Sequence, residues 1–168
     1  RSLNMLGKYF RSVVPSPDSP DPSDERLREA ARGVLPAVDA AMEEVEFHKA
    51  LSAVLNLSDA ANRYLDANAP WALAKDPARR GRLGTVLYHA LEASRICVLL
   101  LSPFIPTAAR RMRETLGRDR AGEPEAAEAG RWGELTVGAT LAPSVIAFPR
   151  IEEPGGEIAG KGGGRSRR

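Results

Sequence analysis

FHKALSAVLNLSDAANRYLDANAPWALAKD, residues 47–76, is the stretch on which the fold turns. Phe47, Ala50, Leu51, Val54, Leu57, Ala61, Tyr64 and Leu65 recur at three- and four-residue steps, which places them on one stripe of a helix running from Phe47 to about Leu65. Asn68, Ala69 and Pro70 end it, because proline lacks a donor and clashes with the preceding turn. Directly after that stop comes Trp71, one of two tryptophans in the chain. A large aromatic in this position is either a core plug or a platform for a partner, and composition alone leans slightly to the core.

The same period continues on both sides. Upstream, Leu3, Leu6, Phe10 and Val13 share one helix face, while Asn4, Lys8 and Arg11 share the opposite stripe. This opening segment is helix-periodic from its first residue, without a cap, as expected for a piece of a larger protein. PSPDSPDP, residues 15–22, reads as a linker. Ser23 then serves as the expected N-cap of a helix through Leu27, Ala31, Val34, Leu35, Val38 and Met42, with Gly33 and Pro36 as weak points. EEVE, residues 43–46, marks a change of element.

Downstream, Lys75, Asp76 and Pro77 separate the tryptophan from a helix spanning about Ala78 to Leu101. Its second half is apolar nearly all round, which predicts a central position. SPFIP breaks it, and a last helix runs from Pro106 to about Leu116, where Gly117 stops it. The expectation is therefore all-α: a helical bundle of about five helices over residues 1–118, an irregular extension over 119–151 that packs on the bundle, and a disordered basic tail over 152–168.

Composition narrows the function. Apolar residues make up 43% and charged residues 27% of 168, a globular profile. The longest apolar run, ICVLLLSPFI at 96–105, is shorter than the roughly 20 residues a bilayer needs, and no secretory leader pattern is visible. We expect a cytoplasmic chain with no membrane partner. Single Cys97 reads as a small buried hydrophobe. His48 and His89 fit no metal-ligand spacing and read as helix-surface or core-edge residues, and GKGGGR at 160–165 lacks the strand and helix of a phosphate loop. No catalytic residue, metal or cofactor is expected in this chain. The arginines at 79, 80 and 82 and at 110, 111 and 113 read as solvated faces able to meet phosphate, with a net charge of only +2. Asn4 and Lys8, one turn apart, and Trp71, followed by Lys75, could present an amide, a cation and a flat ring to unstacked bases, the way single-stranded RNA is read. A helical scaffold with no RNA role, Trp71 lying in its core, is the alternative.

Four stretches carry a resemblance: LNMLGKYF (3–10), residues 47–76, VLYHALEASRICVLLLSPFIPTAARRM (86–112) and RWGELTVGATLAPSVIAFPRIE (131–152). Over about residues 1–151 the chain resembles the C-terminal anticodon-binding domain of bacterial methionyl-tRNA synthetase. The run of Asn62, Tyr64, Pro70-Trp71 and Lys75 is its most specific part, since anticodon domains of other class I synthetases share the bundle without that ending. The resemblance implies a helical bundle that binds the CAU anticodon of methionine-accepting tRNA, elongator and initiator. It maps the family's recognition residues onto Asn4 and Trp71, with the indole stacked on the wobble cytosine. The family's arginine falls on Lys8, a point charge without arginine's planar fork. ATP and methionine belong to the parent enzyme's preceding catalytic domain, and no HIGH-like or KMSKS-like signature occurs here.

Overall fold

One helix, Arg80–Leu101, is surrounded by the others. In chain order the helices are α1 Ser2–Phe10, α2 Pro22–Glu43, α3 Phe47–Asn68, α4 Pro70–Leu73, α5 Arg80–Leu101 and α6 Pro106–Thr115, with 3-10 turns at Pro77–Arg79 and Ala126–Gly130. The computed structural model describes residues 1–117 and 126–143. Among these there is no strand, only an isolated bridge between Val13 and Thr140. The chain is all-α, with five long helices and the single turn of α4. The predicted tail at 152–168 lies outside the described residues, as do 118–125 and 144–151.

Local sequence explains the helix limits. α2 begins earlier than expected: Asp21, not Ser23, is its N-cap, accepting from the Ser23 N–H, while the Asp24 carboxylate accepts from the Asp21 N–H. Pro22 is the first helical residue, where a missing N–H costs nothing. α3 runs one turn beyond Leu65, because the Asn68 amide donates to the Tyr64 carbonyl. Ala69, left-handed at φ 43°, then ends α3 and turns the chain into α4. Phe47, placed on the α3 stripe by its spacing, is half exposed and meets Phe104 edge to face.

Two apolar clusters sit on either side of α5. The larger joins α2, α3 and α5 through residues such as Leu27, Val34, Val54, Leu57 and Leu87. The smaller joins α1, α5, α6 and the extension through Leu6, Leu91, Val98, Leu116 and Leu141. Helix Pro77–Leu101 is long and apolar enough to cross a membrane, yet 94% of its most apolar window is buried inside the protein.

Along α5 a polar seam interrupts this apolar surface: Arg82, Thr85, His89, Glu92 and Arg95, spaced three or four apart. Four of them hydrogen-bond to segments outside α5, whereas buried His89 packs against Asp24, Tyr64 and Trp132 with its Nδ1 unbonded. Thr85 Oγ1 accepts from the Ser19 N–H at 3.0 Å. Glu92, fully buried, accepts from the N–H groups of Gly133, Glu134 and Leu135 at 2.9, 3.0 and 3.1 Å. Gly133 adopts φ 94°, a conformation that favours glycine and lets successive N–H groups converge on one carboxylate. Arg95, 1% exposed, pairs with Glu92 and donates to the Glu128 and Arg131 carbonyls. One buried ion pair thus holds residues 128–135 against the bundle.

Removing half of a buried pair strands the other half, at about 3–5 kcal/mol. Glu92→Ala also orphans three N–H groups, so a loss at or above that range is expected in urea unfolding. A loss under about 1 kcal/mol would show that Glu92 does not hold the extension.

Candidate nucleic-acid interface

The three residues predicted to meet RNA are all at the surface. Asn4 and Lys8 are exposed on α1, and Trp71 on α4 is 42% exposed. Local chemistry sets the indole there: Pro70, the first residue of α4, is buried, as is Leu73, so the single turn is anchored by its ends and Trp71 faces out. Over the Trp71 ring lies the Arg1 guanidinium, 5.4 Å from the centroid. Arg1 also pairs with Asp66 at 2.9 Å, both side chains more than half exposed, so that pair contributes little to stability. Arg1, Asn4 and Lys8 are three and four residues apart, and the Met5 N–H donates to the Arg1 carbonyl, so they form one stripe of α1. The structure therefore brings Trp71 to the head of that stripe through Arg1. Lys8 lies further along, its Nζ 5.3 Å from the Tyr9 ring. Lys75 is exposed beyond α4. The geometry offers a flat aromatic face on α4 beside an amide and cations along α1.

A cleft of about 400 Å³ starts from the same residue, Arg1, and runs between α1, α3, α5 and α6 past Asn62 and Ser94 to Cys97. Burial pushes the Cys97 thiol up to about 12, so it is not a nucleophile. Among the described residues no cluster of His, Cys, Asp and Glu is placed to hold a metal ion.

Behind the surface is a polar core that the sequence reading missed. Arg82, read as part of a solvated cluster, is mostly buried and clamps Asp24 with two hydrogen bonds of 2.7 and 2.8 Å. It also donates to the Asn68 side chain at 2.6 Å, which ties down the end of α3 just before α4. The Tyr64 hydroxyl donates to Asp24 at 2.5 Å, so this tyrosine of the Asn62–Tyr64 run is a buried strut. Burial disfavours the Asp24 charge, but bonds from Arg82, Tyr64 and the Asp21 N–H outweigh it and hold the carboxyl below its ordinary value. Burial raises the Tyr64 hydroxyl, with Asp24 adding to the effect. His89, expected at a surface or core edge, is 3% exposed, with Nε2 3.8 Å from Asp24 and its ring 5.6 Å from that of Trp132. Polar residues at α5 seam spacing were the available signal for this network.

Against known proteins, the sequence profile described as the anticodon binding domain of methionyl tRNA ligase matches residues 14–159. The chain belongs to this family. The profile takes in Trp71 and begins after α1. Among methionine–tRNA ligases, the chain is 38% identical over 152 residues to that of Caldanaerobacter subterraneus subsp. tengcongensis, covering 90% of this chain and 24% of the relative. To that of Deinococcus radiodurans it is 35% identical over 152 residues, covering 90% and 22%. The apo Mycobacterium tuberculosis methionyl-tRNA synthetase superposes with a TM-score of 0.82 at 32% identity, over 92% of this chain and 31% of that one. The chain thus spans about a quarter of the length of the curated relatives it matches.

In this methionyl-tRNA ligase domain His89 gives the support of the surface a pH dependence. Burial pushes its imidazole below the ordinary 6.5, an effect that Asp24 offsets only in part. The unfolded chain therefore binds a proton first as pH falls past 6.5, and stability declines below that point. Thermal melts between pH 8 and 5 are expected to show a Tm that drops below 6.5. His89→Gln should be flatter in that window; the same slope in the variant would assign the effect to other groups.

Proposed function

We propose that the chain reads the CAU anticodon of methionine-accepting tRNA, elongator and initiator, as the RNA-binding part of an enzyme that attaches methionine to tRNA using ATP. The ligation chemistry belongs to a catalytic domain of the same protein, which is the second partner. Cytosine at the wobble position stacks on the open part of the Trp71 indole, with Arg1 against the ring. Asn4 hydrogen-bonds a base edge, and Lys8 contacts a phosphate or base.

The observation that carries this reading is the meeting of the exposed Trp71 ring with Arg1, at the head of the stripe that holds Asn4 and Lys8. A ring in the core would have served packing alone. Membership of the anticodon-binding family supplies the ligand class.

Trp71→Ala is expected to weaken binding of a CAU stem-loop by about 1–3 kcal/mol, the usual worth of one base stacked on an aromatic, with the circular dichroism of the bundle unchanged. Unchanged affinity would remove Trp71 from the site. Competition with stem-loops carrying other anticodons tests the methionine assignment, which equal binding would overturn.

A further inference from the structure

We infer that Arg80 is a further RNA-binding residue: it contacts a backbone phosphate of the anticodon loop. This rests on the reading of the Trp71 surface given above, and extends it to a residue on a different helix.

The geometry begins at a glycine. A Cβ on Gly84 would lie 3.1 Å from Pro15 and 3.4 Å from the Phe10 ring, so the missing side chain lets the end of α1 lie across the first turns of α5. One turn earlier on α5, the Arg80 guanidinium stacks over Phe10 at 4.7 Å from the ring centroid, and its Nη2 donates to the Tyr9 carbonyl at 3.2 Å. Lys8 Nζ sits over the Tyr9 ring. Arg80 is thus fixed against the C-terminal end of the helix that carries Asn4 and Lys8.

Among the described residues, ion pairs engage Arg1, Arg28, Arg32, Lys49, Arg82, Arg95 and Arg131, but not Lys8 or Arg80. Nearby in sequence, Asp76 accepts from the Ala78 N–H and Asp18 from the Ser16 hydroxyl. Arg79 and Lys75, both exposed, add charge of the same sign. Arginine normally pays rotamer entropy to bind an anion, whereas Arg80 is already ordered by Phe10 and Tyr9, and only one of its N–H donors is used among the described residues. Its ring-stacked face leaves the edge donors for a tetrahedral oxyanion. From Arg1 to Tyr9 the helix rises about 12 Å, so a strand stacked on Trp71 and running along α1 reaches this corner.

Arg80→Gln removes the charge but keeps a planar amide for Phe10 and an N–H for Tyr9, so α1 stays docked. With the 168-residue chain and a CAU stem-loop, the variant should bind about tenfold more weakly at low salt. Its plot of log affinity against log salt should be shallower by about 0.7, the value of one phosphate contact on a single strand. Replacing loop phosphates one at a time with neutral methylphosphonate should reveal one position that weakens the unmodified protein and leaves Arg80→Gln unaffected. Arg80→Lys should retain the salt slope, and Arg79→Gln should bind within about twofold of the parent. If Arg80→Gln matches the parent in affinity and slope while Trp71→Ala still weakens binding, the Arg80 contact is wrong and the Trp71 site stands. If Trp71→Ala binds normally as well, the surface itself is misassigned and the Arg80 contact falls with it.

Discussion

A helix enclosed by protein must have each of its polar side chains answered from within the fold, because a buried donor or charge without a partner costs several kcal/mol. α5 carries five polar side chains on one seam, and four of them hydrogen-bond to segments outside it. Apolar packing against α2 and α3 brings the bundle together, but it does so over a broad, forgiving surface. The seam is specific: Arg82 can be satisfied only where Asp24 and Asn68 arrive, Thr85 only where the linker passes, and Glu92 only where three N–H groups of the extension converge. Burial of α5 therefore fixes segments that have little regular structure of their own.

The surface that carries Trp71, Asn4 and Lys8 depends on this arrangement at one remove. α4 is a single turn and cannot hold a position by its own hydrogen bonds, since short helices are marginal in water. Its place comes from the end of α3, tied through Asn68 and Arg82 to Asp24, and from buried Pro70 and Leu73. α1 is similarly short and is set by Leu6 in the smaller core and by the seating of Phe10 over Gly84. Two weak elements each carry exposed groups, and each is anchored to α5 by different residues. The separation between Trp71 and the α1 stripe is consequently decided by the core.

Periodicity made most of this legible. The stripes of α2 and, Phe47 apart, of α3, and the all-round apolar half of α5, appear in the sequence as they do in the fold, because their spacing is a direct consequence of 3.6 residues per turn. What periodicity could not show was where the turns begin. Ser23 is a good cap in isolation, but the reciprocal bond between Asp21 and Asp24 is better, and Pro22 fits a first turn as well as a linker. Nor could it separate Arg82 from its exposed neighbours Arg79 and Arg80, since the three differ only in rotation about α5 and in what the fold places opposite them. The same limit applied to Trp71, whose exposure depends on the fold burying its neighbours Pro70 and Leu73.

That difference in rotation has a functional consequence. Arg82 turns inward and is saturated by Asp24, Asn68 and the Ser19 carbonyl, so its charge is spent on holding the scaffold. Arg80, two residues earlier, turns outward onto Phe10 and meets only a carbonyl. A cation neutralised inside and another, two residues earlier, without an acidic partner among the described residues let one helix end both hold the scaffold and carry charge at the surface. Losing Arg82 would leave the buried Asp24 carboxylate without its cation, bonded only by Tyr64 and the Asp21 N–H. The division of labour within α5 is thus set by the placement of Asp24, the acidic residue that closes the capping box of α2 and at the same time decides which arginine faces the core.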